Sequence, residues 1–260
     1  MKTSISKDRS IRLLIIMLLT TVAFTVLALG LIRTPLPVSA RSADIFGPAC
    51  GAAILDGKVN PDEWSSAAKQ TFVMNSPGGA PPFTATLYVM NSGSTLYMGI
   101  TIDDDEFSTY AEFLPQGDGL RIDFDNDHSG SLFALKDDLL IVSAGAPQFG
   151  DDYINVDQAQ SAMPDVSGGG TLDGSGAASR VGSLNHFELR HPLCSGDSLD
   201  FCLHPNSTVG FRLEYLDAQA DGSFGSNQFF PALGNTSEAD IVIGQCSIPD
   251  VFIYLPLILK

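Results

Sequence analysis

The sequence predicts an all-β protein, a single antiparallel β-sandwich of the jelly-roll type. Short segments in which apolar and polar residues alternate recur along the chain, and turns rich in Gly, Pro, Asn and Asp separate them. After the first forty residues, no long segment repeats its apolar residues with the period of a helix. Many short strands joined by such turns are typical of two packed antiparallel sheets.

The first forty residues have the pattern of a targeting segment. A basic lead up to Arg12 precedes the apolar run 13–32, and small residues up to Ala40 form a sequence that a signal peptidase recognises. The apolar run is also long enough to span a bilayer if it stays uncleaved, so a signal peptide and an N-terminal anchor with membrane attachment through residues 13–32 both stay open. In either case we expect residues 41–260 to be extracellular or in the cell envelope.

The remaining chain is strongly acidic. The full sequence carries a formal charge of −16, and without residues 1–40 the charge is −20, since that segment holds five basic residues and one acidic residue. Binding to a phosphate backbone requires clustered Lys and Arg, so the charge argues against a nucleic-acid partner. Roughly 220 residues are enough for one domain with a sizeable core, predicted at 41–250, with an apolar tail at 251–260.

The strands follow from alternation along the chain. Leu120, Ile122 and Phe124 alternate with polar residues and predict a half-buried strand whose apolar side faces the core. The clearest hairpin joins two alternating runs through the polar turn 91–94. The predicted strands are 54–55, 72–74, 85–90, 96–102, 120–124, 139–142, 186–189, 208–215 and 240–243. Between them, the glycine-rich segment 145–182 has too little apolar content to pack alone and is expected to be a surface excursion.

The segment 125–130 has the spacing of a calcium loop. Asp125, Asp127 and Ser129 stand at positions 1, 3 and 5 of a D-x-D-x-S-G pattern, and Gly130 allows the sharp turn that brings their oxygens together. Position 12 is Lys136, which excludes an EF-hand, so neighbouring acids would have to complete the site. The candidate calcium ligands are Asp123, Asp125, Asp127, Ser129, Asp137 and Asp138. An acidic turn exposed to water is the alternative, and the acidic run 103–106 is open to the same two interpretations.

Four cysteines allow three disulfide pairings. The favoured pairs are Cys194–Cys202, as a local link, and Cys50–Cys246, which would join the two ends of the domain; an oxidising exterior permits both. His191 and His204 flank the close pair, so a zinc site formed by the four side chains is the alternative.

Two groups of segments resemble known ligand-binding β-sandwiches. Ile54-Leu55-Asp56-Gly57 through Glu63-Trp64, followed by Leu87-Tyr88-Val89 and Leu96-Tyr97-Met98-Gly99-Ile100, resembles the start of family 9 carbohydrate-binding modules. The segments 187–193, 195–197 and 209–213 resemble the haem-binding subunit of ethylbenzene dehydrogenase. Both belong, with the DOMON domains, to one superfamily of β-sandwiches, and the resemblance spans roughly residues 50–245.

The resemblance implies a carbohydrate ligand held by aromatic side chains. Those modules clamp sugar between tryptophans, whereas this chain has only Trp64, whose position in a turn favours a structural role at the edge of the core over sugar stacking. The candidate ligand-binding residues are Trp64, Tyr88, Tyr97 and Tyr110. A haem site would need two axial ligands, and the candidates, which are Met90, Met98, Met163 and the four histidines, form no recognisable pair.

The sequence contains no motif for catalysis. We find no phosphate-binding loop, no Gly-x-Ser-x-Gly elbow and no His-Glu-x-x-His pair. The sequence therefore predicts an exported, non-catalytic β-sandwich that binds carbohydrate or another extracellular ligand and carries a structural calcium loop. A structural or adhesive envelope protein is the first alternative, and a haem-binding redox module is the second.

Overall fold

Two β-sheets pack face to face in the computed structural model, which describes residues 45–111, 116–130, 137–155, 161–232 and 238–246. Its elements in chain order are β1 (Ile45–Phe46), β2 (Ala68–Met74), β3 (Phe83–Asn91), β4 (Thr95–Asp103), β5 (Gly119–Asp125), β6 (Asp138–Ser143), β7 (Phe149–Asn155), β8 (Ser161–Pro164), the helical turn α1 (Asp165–Gly168), β9 (Ser175–Val181), β10 (Leu184–Pro192), β11 (Thr208–Ala218), β12 (Phe224–Phe230) and β13 (Ala239–Val242). The predicted all-β sandwich is confirmed.

Each sheet combines strands that are distant in sequence. The larger one, sheet A, has the order β1-β13-β11-β5-β6-β7-β8, and β12 also pairs with β11. The smaller one, sheet B, has the order β2-β3-β4-β10-β9. Neighbouring strands are antiparallel except β1 and β13. Strand β11 lies in the middle of sheet A, where it pairs with β5. Its first residues also pair with β13 and its last residues with β12, so it extends to one end of the sandwich.

The core lies between the inner faces of the two sheets. The register pairs Phe211 with Phe124 and Leu213 with Ile122, so the apolar side chains of β11 and β5 stand side by side on one face. Opposite them, side chains such as Phe187 of β10 close the interior, and all of these are fully buried. The strands predicted at the β3–β4 hairpin and at β5, β6, β10, β11 and β13 are confirmed.

The outer side of β5 is also covered. Asp123 is 2% exposed, and its carboxylate accepts hydrogen bonds from Arg121 Nε and Arg212 Nη2, both at 2.9 Å. A strand expected to be half-buried is thus enclosed on both faces, because neighbouring arginines neutralise the acid on the second face.

Two sequence expectations about local structure are wrong. Residues 54–55 form no strand and instead belong to an irregular segment. The glycine-rich segment 145–182 is not an excursion, because it contributes β7 and β8 to sheet A and β9 to sheet B. Its glycines permit close packing: a Cβ at Gly168 would lie 2.7 Å from the ring of Tyr153, and one at Gly174 would overlap the ring of Phe149.

Both favoured disulfides are present. Cys50 and Cys246 are joined across a sequence separation of 196 residues, and Cys194 and Cys202 across 8. The zinc interpretation is wrong, because both of its cysteines are in a disulfide. In the part of the chain that the structure describes, no helix has the length and apolarity needed to cross a membrane. The predicted targeting segment 1–40 and the predicted tail 251–260 lie outside the described residues.

Candidate functional site

An open cleft of ≈ 960 Å³ lies at the end of the sandwich where loops of both sheets meet. Sheet B contributes the start of β3, the end of β4 and the β9–β10 turn, and sheet A contributes the β11–β12 hairpin. The side chains that give the cleft its chemistry are Phe83, Asp103, Asp105, Arg180, Asp217, Gln219 and Phe224. The cleft therefore combines aromatic surface with carboxylates, a guanidinium and an amide.

Phe224 is the exposed aromatic ring of this cleft. It begins β12, and 54% of its surface is accessible. A second depression of ≈ 480 Å³, bordered by the loop that contains Pro77 and Gly78, shares Phe224 with the cleft. Because it lies between two depressions, this phenyl ring offers a flat apolar face to a ligand bound in either one.

Arg180 fixes the acidic wall of the cleft. Its guanidinium donates hydrogen bonds to the backbone carbonyls of Asp104 (3.0 Å), Asp105 (3.1 Å) and Glu106 (2.6 Å) and to the side-chain oxygen of Asn185 (2.8 Å). These bonds hold the acidic run in one conformation, with Asp105 exposed and Asp104 turned inward. The wall is therefore preorganised.

Beneath this wall lies a fully hydrogen-bonded polar network. The carboxylate of Asp118 accepts hydrogen bonds from the backbone N–H groups of Ser108 (3.0 Å) and Ala218 (2.9 Å) and from Asn185 Nδ2 (3.2 Å), while Tyr215 donates its hydroxyl proton to Asp104. Burial is the main reason why the pKa of Asp118 rises to about 7. The network supports the cleft floor, and its carboxylates already have protein partners.

Asp217 is the acidic residue that connects this floor to the cleft. Burial, together with the nearby carboxylate of Asp104, raises its pKa to about 6. Its carboxylate also accepts a hydrogen bond from Ser226 Oγ at 3.2 Å. The group therefore titrates closer to neutral pH than an ordinary aspartate does.

Of the four aromatic residues proposed from the sequence, three lie away from the cleft. Trp64 is 2% exposed, and its Nε1 donates to Glu188 Oε1 at 3.1 Å. The indole covers Gly99, where a Cβ would lie 2.9 Å from the ring, so the absence of a side chain in β4 creates the space that the indole fills. Tyr88 and Tyr97 pack in the same cluster. A buried indole offers no face to a sugar, which corrects the ligand-binding assignment of Trp64 in favour of its role in the core.

Tyr110 is the fourth proposed aromatic residue, and it is 56% exposed. It lies against Gly222 in the β11–β12 turn, close to the cleft but not among its lining residues. The methionines considered for haem are distributed through the sheets: Met90 and Met98 are buried in β3 and β4, and Met163 lies in β8.

The predicted calcium residues do not all come together. Asp125, Asp127 and Ser129 share one loop, in which Asp125 accepts hydrogen bonds from the backbone N–H groups of Ser129 (3.0 Å) and Gly130 (2.6 Å). Asp127 Oδ1 accepts a further bond from the N–H of Ser129 at 3.1 Å. Burial opposes ionisation of Asp125, but these donors outweigh it and hold its pKa below the usual value. The loop is thus closed by its own backbone.

The other three proposed ligands have different environments. Asp123 pairs with the two arginines described above, and Asp137 Oδ1 accepts a hydrogen bond from the N–H of Asn126 at 3.4 Å. Asp138 is 1% exposed and belongs to a separate buried group that contains His191. Burial raises the pKa of Asp138 well above its usual value, and neighbouring carboxylates outweigh the burial of His191 and raise its pKa to about 10.

Sequence reasoning missed the residues that define the cleft. Phe224 follows the Asp221-Gly222 turn and begins a strand that the sequence analysis did not assign, although the turn and the apolar end of that strand were available signals. Arg180 lies in the glycine-rich segment that was interpreted as an excursion. Its role depends on the register of β9 with β10, which cannot be read from neighbouring residues.

Comparisons with known proteins identify the fold. No family model matches the chain, and no curated protein sequence matches it. Similar solved structures include a family 9 carbohydrate-binding module from Caldicellulosiruptor kristjanssonii in complex with cellotriose, with a TM-score of 0.54 and 15% identity, covering 80% of this chain and 97% of that one. A family 9 module from the same organism in complex with glucose has a TM-score of 0.54 and 14% identity, over 78% of this chain and 97% of that one.

A candidate carbohydrate-binding protein from Bacteroides uniformis is also similar, with a TM-score of 0.54 and 7% identity, over 78% of this chain and all of that one. These matches confirm the fold that the resemblance implied: the chain is a β-sandwich like that of family 9 carbohydrate-binding modules. At such low identities the comparison establishes the architecture alone.

Proposed function

We propose that this protein is a non-catalytic carbohydrate-binding module that holds a saccharide in the cleft beside Phe224. The observation that carries the proposal is the exposed ring of Phe224 in an open cleft that also contains carboxylates and an amide. The C–H face of a sugar ring can pack on the phenyl ring, while carboxylate and amide oxygens accept hydrogen bonds from its hydroxyl groups. The fold shared with modules solved with cellotriose and glucose supports this assignment.

The charge of the cleft favours a neutral saccharide. Asp103, Asp105 and Asp217 lie around it, and the one cationic side chain among its lining residues, Arg180, is already engaged with backbone carbonyls. An acidic sugar would bring a further negative charge next to these carboxylates, which costs free energy in a partly desolvated cleft. We therefore expect neutral glucans to bind and uronic-acid or sulfated polymers to be rejected.

The proposal is tested by titrating the purified protein with cellotriose and glucose, and with a panel of neutral and acidic glycans, by calorimetry. Phe224→Ala is expected to weaken binding about tenfold, equivalent to about 1.4 kcal/mol, because the stacking surface is lost. Tyr110→Ala is the matched control, since Tyr110 is equally exposed but lies outside the cleft. Loss of binding in the Tyr110 variant alone would show that the saccharide binds outside the cleft. Binding to no glycan would exclude a carbohydrate-binding function.

The absence of catalysis is part of the proposal. Asp217 is the acid in the cleft whose pKa lies nearest to neutral, so it is the group to test as a general acid. We expect a bound oligosaccharide to be recovered intact after prolonged incubation with the protein. Release of shorter sugars that stops in Asp217→Asn would show that the cleft is catalytic.

We also propose that calcium stabilises the loop 125–130 and that the protein is exported. The D-x-D-x-S-G spacing and the convergence of Asp125, Asp127 and Ser129 support the first point, and two disulfides support the second. Asp125→Asn combined with Asp127→Asn should abolish any stabilisation that calcium gives through this loop, as measured by thermal unfolding. Mass spectrometry of the natural protein would show whether residues 1–40 are removed.

A structural or adhesive role is the second candidate, and an apolar groove on sheet A favours it. The groove of ≈ 360 Å³ includes Ile141 and Phe149 and is bordered by Val166 and Leu172, which are 63% and 58% exposed. Exposed apolar surface of this kind is found where proteins meet. Light scattering that shows a monomer at all concentrations would argue against self-association through this groove.

A further inference from the structure

A group of buried carboxylates surrounds one histidine between β6, β7 and β10. Its members are Asp138 at the start of β6, Asp151 in β7, Asp165 in α1, His191 in β10, and Asp200 in the segment closed by the Cys194–Cys202 disulfide. We call it the carboxylate–imidazole cluster. Each side chain is more than nine-tenths buried, with exposures of 1%, 3%, 1%, 0% and 7% respectively.

Seven buried polar atoms of this cluster have no hydrogen-bond partner among the described residues. They include Asp138 Oδ1, Asp151 Oδ1, His191 Nε2 and both carboxylate oxygens of Asp165 and Asp200. Leaving one buried polar atom unpaired costs about 1–3 kcal/mol, and more for a charged group. So many unpaired atoms at one point indicate that a ligand, not protein donors, completes the site.

The network under the cleft shows the contrast. Asp104, Asp118 and Asp217 are also buried and close together, yet their carboxylates accept hydrogen bonds from backbone N–H groups, Tyr215 and Ser226. That network is complete without a ligand. The two groups therefore differ in whether protein donors satisfy their buried carboxylates, and this difference indicates which group requires a ligand.

The orientation of His191 makes it a ligand for a cation. Its Nδ1 lies 2.8 Å from the carbonyl oxygen of Pro192, and because a carbonyl can only accept, Nδ1 must carry the proton. A cation that displaces the proton from Nε2 would leave the lone pair of that atom facing the cluster, which is the tautomer that metal-binding histidines adopt.

The spacing of the ligand atoms suits a large divalent ion. His191 Nε2 lies 3.6 Å from Asp151 Oδ2 and 3.5 Å from Asp200 Oδ2, which is too far for a good hydrogen bond. Adjacent ligands at right angles around Ca²⁺ are about 3.3–3.7 Å apart, whereas around Mg²⁺ they are about 2.9 Å apart. Ligand atoms of Asp138, His191 and Asp200 lie within 4.8 Å of one another, as do those of Asp151, Asp165 and Asp200.

We propose that the carboxylate–imidazole cluster binds a divalent cation of about the size of calcium, with oxygen ligands from the four aspartates and Nε2 of His191 as the nitrogen ligand. Asp200 belongs to both ligand groups and is the central residue. The site is separate from the loop 125–130, and it does not depend on carbohydrate binding. Since its ligands come from five segments, the ion would join β6, β7, α1, β10 and the disulfide loop in the folded state only.

The test uses the purified chain after chelator treatment, titrated with Ca²⁺ or Mn²⁺ alone. We expect one ion per chain bound at this site and a higher melting temperature with the ion. Asp200→Asn is expected to weaken binding at least tenfold. Two controls should keep it: Asp118→Asn, which changes a buried acid in the complete network, and the double variant Asp125→Asn with Asp127→Asn, which changes the predicted calcium loop.

Pulsed electron paramagnetic resonance of bound Mn²⁺ tests the assignment without relying on the stability of a variant. We expect nitrogen coupling from one imidazole in the wild-type protein, and its loss in His191→Gln. A Mn²⁺ signal without nitrogen coupling in the loop variant, in which residues 125 and 127 are no longer aspartates, would overturn the proposal, as would loss of all binding in that variant. Failure to bind either ion, together with a higher melting temperature of Asp200→Asn, would show that the cluster is instead an acid network that shares protons.

Discussion

Glu188 in β10 anchors the irregular segment that carries the single tryptophan of the chain. Its side chain is fully buried. Oε2 accepts hydrogen bonds from the backbone N–H groups of Asp56 (3.0 Å), Gly57 (2.8 Å) and Lys58 (3.1 Å), and Oε1 accepts one from Trp64 Nε1 (3.1 Å). We predict that Glu188→Gln destabilises the protein strongly although it changes the volume very little.

The expected loss follows from these four bonds. Glutamine keeps one carbonyl oxygen for the three backbone donors, but its NH₂ group must then face the indole N–H, so two donors meet and one bond is lost. The remaining bonds lose the charge that strengthens them, and a bond to a charged group contributes about 1.5–3 kcal/mol compared with about 1 kcal/mol for a neutral one. We therefore expect the free energy of unfolding to fall by about 3 kcal/mol.

Urea unfolding followed by tryptophan fluorescence measures this change directly, because Trp64 is the only tryptophan and touches the altered residue. Trp64→Phe removes the indole donor, so the double variant should be less destabilised than the sum of the two single variants. Circular dichroism follows the variants that lack tryptophan. A loss below about 0.5 kcal/mol for Glu188→Gln, or strict additivity in this cycle, would refute the reasoning.

Two further predictions concern pH and the disulfides. Burial raises the folded-state pKa of Asp118 to about 7, so between about pH 4 and pH 7 the folded protein keeps a proton that the unfolded chain has released, and the stability this proton provides is lost as the pH rises. Asp118→Asn should therefore reduce the fall in melting temperature between pH 5 and pH 7.5. An unchanged fall would contradict the assignment. A disulfide that closes a longer loop restricts the unfolded chain more, so removal of Cys50–Cys246, which spans 196 residues, should lower the free energy of unfolding by about 5 kcal/mol. Removal of Cys194–Cys202, which spans 8, should lower it by about 2.5 kcal/mol. Equal losses in urea unfolding would contradict this argument from chain entropy.

The strands that sequence analysis predicted are those in which one face meets the core. In β5 and β11, every second residue is a large apolar side chain, so the period of two is visible without knowledge of the partner strand. The glycine-rich segment could not be predicted in this way. Residues 175–179 of β9 are small, and a Cβ at Gly176 would lie 3.1 Å from Val142, a crowding that exists only after folding.

The sites were harder to predict, because their residues are brought together by topology. The predicted calcium loop could be recognised because Asp125, Asp127 and Ser129 are close in sequence. The residues of the carboxylate–imidazole cluster are spread over more than sixty positions. Trp64 gave a misleading signal, because an aromatic residue in a turn looks the same in sequence whether it stacks on a sugar or fills the space above a glycine.

The close packing of the glycine-rich segment has a consequence for how this chain tolerates change. A Cβ at Gly168 would meet Tyr153, one at Gly170 would overlap Asp197, and one at Gly174 would overlap Phe149. The glycine-rich composition of this segment suggests a flexible linker in which insertions and substitutions would be tolerated. In a saturation mutagenesis library selected for folded protein, Gly168 and Gly174 should instead be among the most restricted positions, since even alanine would collide there with the aromatic rings of Tyr153 and Phe149.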